Sequence, residues 1–139
     1  MNRDKVFFIV GNSRSGTTMM LRILSNHPVI YGLNELHFFE QLWSSEDKNK
    51  PITKHDAIEL AAKLLFVQRD GYIGKTDSNK YKQEAEVLVN EMDVKEYLGH
   101  EVYTQMMFRE TQLQGKQIPC EKTPQNVFYL KEIFDIYPN

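Results

Sequence analysis

The 139-residue chain has a single cysteine, Cys120, and its 4 histidines form no Cys/His cluster with zinc-ligand spacing. An intramolecular disulfide is therefore excluded, no metal site is signalled, and the chain suits a reducing compartment. Long apolar runs are missing as well. Val6 to Val10 is a run of five, too short for a membrane span or a signal-peptide core even behind the basic start MNRDK. The expected location is cytoplasmic, with no membrane span. Nor is there an excess of positive charge. With 17 Lys plus Arg against 19 Asp plus Glu and a formal net charge of -2, extended nucleic-acid binding is disfavoured, while a local anion site stays open. Glycine and proline are modest at 7 and 5, and 41% hydrophobic residues suffice for a core, so the chain is neither collagenous nor disordered. Its length holds one domain.

Val6 to Val10 ends at Gly11, which fits a strand buried on both faces, as in a parallel sheet. GNSRSGTT follows, and Met20, Ile23 and Leu24 then recur at helical spacing until Pro28. Strand, glycine loop and helix open an α/β nucleotide-binding unit. Val29 to Tyr31 reads as a second strand, Glu35 to Ser44 as a helix, and SSEDKNKP as a surface loop. Thr53 and Asp56 cap a helix that carries Ile58, Ala61, Ala62 and Leu65 on one face to about Gln68, before RDGYIG breaks it. Another helix is expected from Lys80 to Glu91. Asp93 and Glu96 cap a third with Val94, Tyr97, Val102 and Met106 inward and Gly115 as its stop.

QIPCE then reads as a short strand, and Pro119, lacking a ladder donor, argues for its edge or first position. Thr123 caps a helix with Pro124 at its first position, running through Val127, Leu130, Ile133 and Phe134 to Tyr137. A helix that leaves a parallel strand normally delivers another strand. The expectation is therefore an α/β, P-loop-containing nucleotide-binding fold, a parallel sheet flanked by helices, truncated before its C-terminal strands. It would form one partial domain over 1–139, with the loop in 1–45, a helical insert in 46–115 and the strand-to-helix segment in 116–139. An uncompleted sheet edge would offer a surface for association.

Gly11 and Gly16 are separated by four residues and a hydroxyl residue follows two places later, as in a phosphate loop. The usual lysine is missing: Thr17 holds its place and the cation comes earlier, at Arg14. Backbone N–H groups at a helix start, the Thr17 and Thr18 hydroxyls and the Arg14 guanidinium suit a single tetrahedral anionic centre with its bridging sulfate. A degenerate kinase or NTPase loop is the lesser alternative, and a glycine turn before a helix also serves as a plain connection.

RSGTT, with the helix and HPVI that follow, resembles the 5′-phosphosulfate loop of sulfotransferases that use 3′-phosphoadenosine 5′-phosphosulfate (PAPS). NELHFFE, at Asn34 to Glu40, is similar to the segment that carries the catalytic base in heparan-sulfate-type and related bacterial sulfotransferases. EKTPQNVFYLKEIFDIYP, at Glu121 to Pro138, is similar to their EK[ST]P strand-to-helix segment. The resemblance implies sulfuryl transfer to a hydroxyl or amine on a small-molecule, carbohydrate or lipid acceptor, with no metal.

It makes Glu35 the candidate base, Lys122 the candidate acid or charge stabiliser on the far side of the migrating group, and His37 the fallback base. Arg14, Ser15, Gly16, Thr17 and Thr18 would hold the donor's 5′ end. The family's 3′-phosphate clamp, an Arg and a Ser, lies beyond the EKTP helix and is not in this sequence, so the chain alone is expected to bind donor weakly. A non-catalytic nucleotide-binding fragment is the alternative that follows. Blander roles compete at each position: Glu35 as a first-turn helix residue, Lys122 as a solvated charge, His37, Phe38, Phe39 and Trp43 as core, and Cys120 as an inert strand residue.

Overall fold

The computed structural model describes residues 5–12, 14–71 and 77–139; Ser13 of the glycine loop and the YIG of the RDGYIG break lie outside the described residues. Three strands form one parallel sheet: β1 (Phe7–Ile9), β2 (Ile30–Gly32) and β3 (Ile118–Lys122). Their order is β1-β3-β2, with Phe7 opposite Cys120, Ile9 opposite Lys122, and Gly32 opposite Cys120. The helices are α1 (Thr17–Ser25), α2 (Lys54–Asp70), α3 (Lys82–Asn90), α4 (Gly99–Leu113) and α5 (Leu130–Ile136). This is the expected α/β arrangement of a small parallel sheet flanked by helices.

Pro119 is not at an edge. It sits in the central strand, and the carbonyl directions show why that is tolerated. Ile118 N–H donates to the Val29 carbonyl at 2.8 Å and Leu33 N–H donates to the Cys120 carbonyl at 2.8 Å, so residues 118 and 120 face β2. The backbone alternates, so Pro119 presents its missing donor toward β1, whose first paired residue, Phe7, lies opposite Cys120. No paired ladder bond is lost.

α1 lies close against β2. A Cβ on Gly32 would sit 2.2 Å from Ser25 Oγ and 2.9 Å from Leu21 Cδ1, so only glycine admits this approach. Lys116 Nζ then ties the same corner together, donating to the carbonyls of Ser25 at 2.6 Å and Ile30 at 2.8 Å.

The helix expected over Glu35–Ser44 is not formed. The chain stays irregular through His37, turns once as a π-helix over Phe38–Leu42, and makes a short 3₁₀ turn over Ser45–Asp47. Phe38 and Phe39 are both buried. Phe38 stacks on Tyr103 with ring centroids 4.2 Å apart and 4° between planes, and Phe39 meets Trp43 edge-on at 5.6 Å. These rings are core, joining the turn to α4; burying each stabilises the fold by about 2–3 kcal/mol.

Two caps also differ from expectation. Asp93 and Glu96 are exposed and start no helix, because Tyr97 is held in an antiparallel bridge with Ile52, whose N–H donates to the Tyr97 carbonyl at 2.8 Å. The helix begins only at Gly99, leaving Val94 exposed. Thr123 precedes a 3₁₀ helix over Pro124–Tyr129 and makes no side-chain cap; its hydroxyl is used elsewhere. Thr53 does cap α2, accepting from the Asp56 N–H at 3.1 Å. Met20, Ile23 and Phe134 lie on exposed surfaces, and an apolar groove along the free edge of β1 runs between Met20 and Phe134.

Candidate active site

Because the three strands are parallel, their carboxyl ends share one edge of the sheet, where ligands of open α/β folds bind. β1 leads there into the glycine loop, β2 into residues 33–37, and β3 ends there at Lys122. Three segments far apart in sequence thus meet without any of them being long.

The glycine loop reaches α1 through Gly16, the N-cap, at φ 88 and with no side-chain cap. The first turn of α1 holds no acidic residue, so no carboxylate of its own offsets the positive end of the helix dipole there. The loop is anchored at its start, where Gly11 N–H donates to the Pro124 carbonyl at 3.2 Å. Thr17 is buried, whereas Arg14, Ser15, Gly16 and Thr18 are exposed. Among the described residues, only two non-glycines have left-handed backbones, Arg14 at φ 62 and His37 at φ 52. Each costs about 1 kcal/mol or more, and both fall on candidate site positions.

Lys122 is the meeting point. Its Nζ donates to Glu35 Oε1 in a short ion pair and to Thr18 Oγ1 at 3.3 Å, with its side chain 8% exposed against 40% for Glu35. His37 continues the line of contacts, with Nε2 3.6 Å from Glu35 Oε2 and Nδ1 3.0 Å from Glu40 Oε2. Thr18, Arg22, Asn34, Glu35, His37 and Lys122 line one cleft of about 550 Å³. Glu35 and Lys122, expected on opposite sides of a transferred group, touch each other directly. Arg14 forms no ion pair with Glu35 among the described residues. Phe38, Phe39 and Trp43 do not line the cleft; they are packed in the core as the blander reading had them. Cys120 is buried and its thiol is pushed up to about 11 by burial and the nearby Glu121 charge, which keeps it an unreactive thiol.

Residues 33–37 are fixed mostly by side chains. Asn34 is locked to the end of α2: its N–H donates to Gln68 Oε1 at 2.8 Å and its Nδ2 to the Gln68 carbonyl at 2.6 Å. Leu36 N–H donates to Thr123 Oγ1 at 3.1 Å and to Glu121 Oε1 at 3.3 Å, and His37 N–H to Thr123 Oγ1 at 3.3 Å. Thr123 in turn donates its hydroxyl hydrogen to Glu121, and Asn126 Nδ2 donates to Glu121 Oε2 at 2.7 Å. Glu121 is fully buried, and burial raises its carboxyl to about 7 although these donors pull it down. Sequence reasoning gave Glu121, Thr123 and Asn126 no part in the site. One signal was available: an acidic residue inside an apolar strand must find partners, since a buried charge without them is too costly.

Among the described residues, no group of three or more His, Cys, Asp or Glu is arranged to hold a metal ion, and no helix is long and apolar enough to cross a membrane. A parallel α/β sheet whose carboxyl edge joins an uncapped helix start to a carboxylate–ammonium pair has the groups of a group-transfer site. The family model for the sulfotransferase family matches residues 7–139, and the chain belongs to that family. No curated protein and no solved structure matches the chain closely enough to add to this. The activity that goes with the family is sulfuryl transfer, on a P-loop-like fold.

Proposed function

We propose that this site transfers a sulfuryl group from PAPS, the family's general donor, to a hydroxyl or amine of a carbohydrate, lipid or small-molecule acceptor. The observation that carries the reading is the contact of Lys122 with both Glu35 and Thr18, which joins a base, a cation and the anion-binding helix start at one point. The donor's phosphosulfate suits the loop: the N–H groups at the start of α1, the Ser15 and Thr18 hydroxyls and the Arg14 guanidinium are donors for its oxygens.

As the acceptor oxygen or nitrogen bonds to sulfur, the bond from sulfur to the bridging phosphate oxygen breaks and 3′-phosphoadenosine 5′-phosphate leaves. Glu35 takes the acceptor's proton, and Lys122 donates to the bridging oxygen as negative charge gathers there. His37, beside Glu35, orients its carboxylate and is the second candidate for the proton.

The test is transfer of labelled sulfate from PAPS to a panel of sugar, lipid and phenol acceptors by the wild-type chain and Glu35→Gln. The substitution should lower turnover by ~100-fold or more while binding of 3′-phosphoadenosine 5′-phosphate, measured by calorimetry, changes little. Unchanged turnover would remove Glu35 from the role of base. Donor binding with no transfer to any acceptor would favour a non-catalytic binding fragment.

A further inference from the structure

Glu35 projects from a stretch of backbone that no helix or strand ladder stabilises, yet it meets Lys122 closely. Such backbone samples many conformations unless its N–H groups are claimed. Gln68 of α2 takes the Asn34 N–H, and the N–H groups of Leu36 and His37, which follow Glu35, are claimed by one short segment at the end of β3.

The donor directions at Thr123 follow from its partners. Thr123 Oγ1 accepts the N–H groups of Leu36 and His37, so its one hydroxyl hydrogen goes to Glu121. Glu121 accepts from Thr123, Leu36 and Asn126, and every one of these partners is a donor. Glu121 Oε1 therefore takes the Thr123 hydroxyl hydrogen, and the hydroxyl oxygen grips the two peptide groups following Glu35. Residues 121, 123 and 126 are 0%, 0% and 1% exposed, so water does not substitute for a missing partner. The left-handed turn at His37 lies at the gripped peptide, where an unfavourable backbone persists only if its surroundings hold it.

We propose that Glu121, Thr123 and Asn126 are positioning residues: a buried clamp on the Leu36 and His37 peptides that sets Glu35 against Lys122. The EKTPQN segment then supplies the reacting lysine and also places the base, so the two arrive in register on one strand end. This rests on the reading of Glu35 as base, but the clamp itself can be tested apart from it.

The experiment uses the full chain with Glu121→Gln, Thr123→Val and the conservative Thr123→Ser. Amide hydrogen exchange at Leu36 and His37 should quicken ~10-fold or more in the first two, with α2 and α4 amides unchanged, and return toward wild type in Thr123→Ser. Turnover should fall ~10-fold or more in Glu121→Gln with donor affinity within about twofold. Added to Glu35→Gln, the same change should cost nothing further, because a clamp that acts through Glu35 has nothing left to position.

Unaltered exchange at Leu36 and His37, or an equal loss of turnover in both backgrounds, would overturn the clamp. If Glu35→Gln leaves turnover unchanged, the base assignment falls and the exchange result alone decides the clamp. Should Glu121→Gln fail to fold, the Thr123→Val and Thr123→Ser pair carries the same test.

Discussion

Two cation–carboxylate networks in this molecule use the same chemistry to opposite ends. In the helical layer, Arg69 of α2 meets both oxygens of Glu110 on α4, at 3.2 and 2.8 Å, and Glu84 of α3 at 2.7 Å, with Tyr81 under its guanidinium at 5.2 Å. Hydrogen bonds from Glu110 and then Glu84 raise its pKa, and Arg69 lowers that of Glu84. Its Nε, Nη1 and Nη2 each donate to a carboxylate of another helix, joining α2, α3 and α4. At the sheet's carboxyl edge, Lys122 has Glu35 and Thr18 as partners, both lining a cleft, and Glu35 is 40% exposed. A guanidinium whose Nε, Nη1 and Nη2 all donate between helices is a fastener. A charge pair left open on a cleft can exchange a partner for substrate, and the difference lies in the saturation of donors, not in residue type.

The comparison breaks most visibly at Lys122. Lys122→Met should lower turnover by ~100- to 1000-fold, the range for losing a charge aimed at a developing anion, with a small change in melting temperature because Glu35 is partly solvated. Arg69→Met should do the reverse. It strands the buried Glu110 carboxylate and should cost about 2–3 kcal/mol in urea unfolding, while donor binding at the glycine loop, which Arg69 does not contact through any hydrogen bond or ion pair among the described residues, is kept.

A smaller effect separates the clamp from both networks. Burial raises Glu121 from 4.5 to about 7, so between those values it is protonated when folded and ionised when unfolded. Its stabilising contribution is full below pH 4.5 and is lost as the pH rises through 7. His100, whose pKa is lowered from 6.5 by burial, works in the opposite direction but is common to both proteins. The stability of Glu121→Gln relative to wild type should therefore improve by roughly 2 kcal/mol from pH 5 to pH 8 in urea titrations. A constant difference would mean that the Glu121 carboxyl is not raised.

Much of the architecture was legible from local pattern. The β1 strand, the glycine loop and α1 follow from an apolar run, two glycines and helical spacing, and Thr53 caps α2 as its sequence suggests. The misreadings share one cause: distant partners overrode local preference. Thr123 looks like a helix cap, but its hydroxyl is taken by Leu36, His37 and Glu121. Asp93 and Glu96 look like caps, but the Ile52 bridge holds Tyr97 extended. Phe38 and Phe39 look α-helical, yet the chain makes only a π-helical turn after a left-handed His37, with both rings packed against distant parts of the core. Pro119 looks like an edge residue, and register against a late-starting β1 admits it to the centre.

The amino-acid order by itself determined the strand–glycine loop–helix opening, the kind of side chains available for proton and charge handling, and membership in the sulfotransferase family, because each depends on neighbours along the chain. Only tertiary structure decided that Glu35 and Lys122 touch across 87 residues and that Glu121 grips the backbone beside Glu35. The physical reason is the sheet order β1-β3-β2 with all strands parallel: it folds the intervening helices out of the way and delivers three strand ends to one edge.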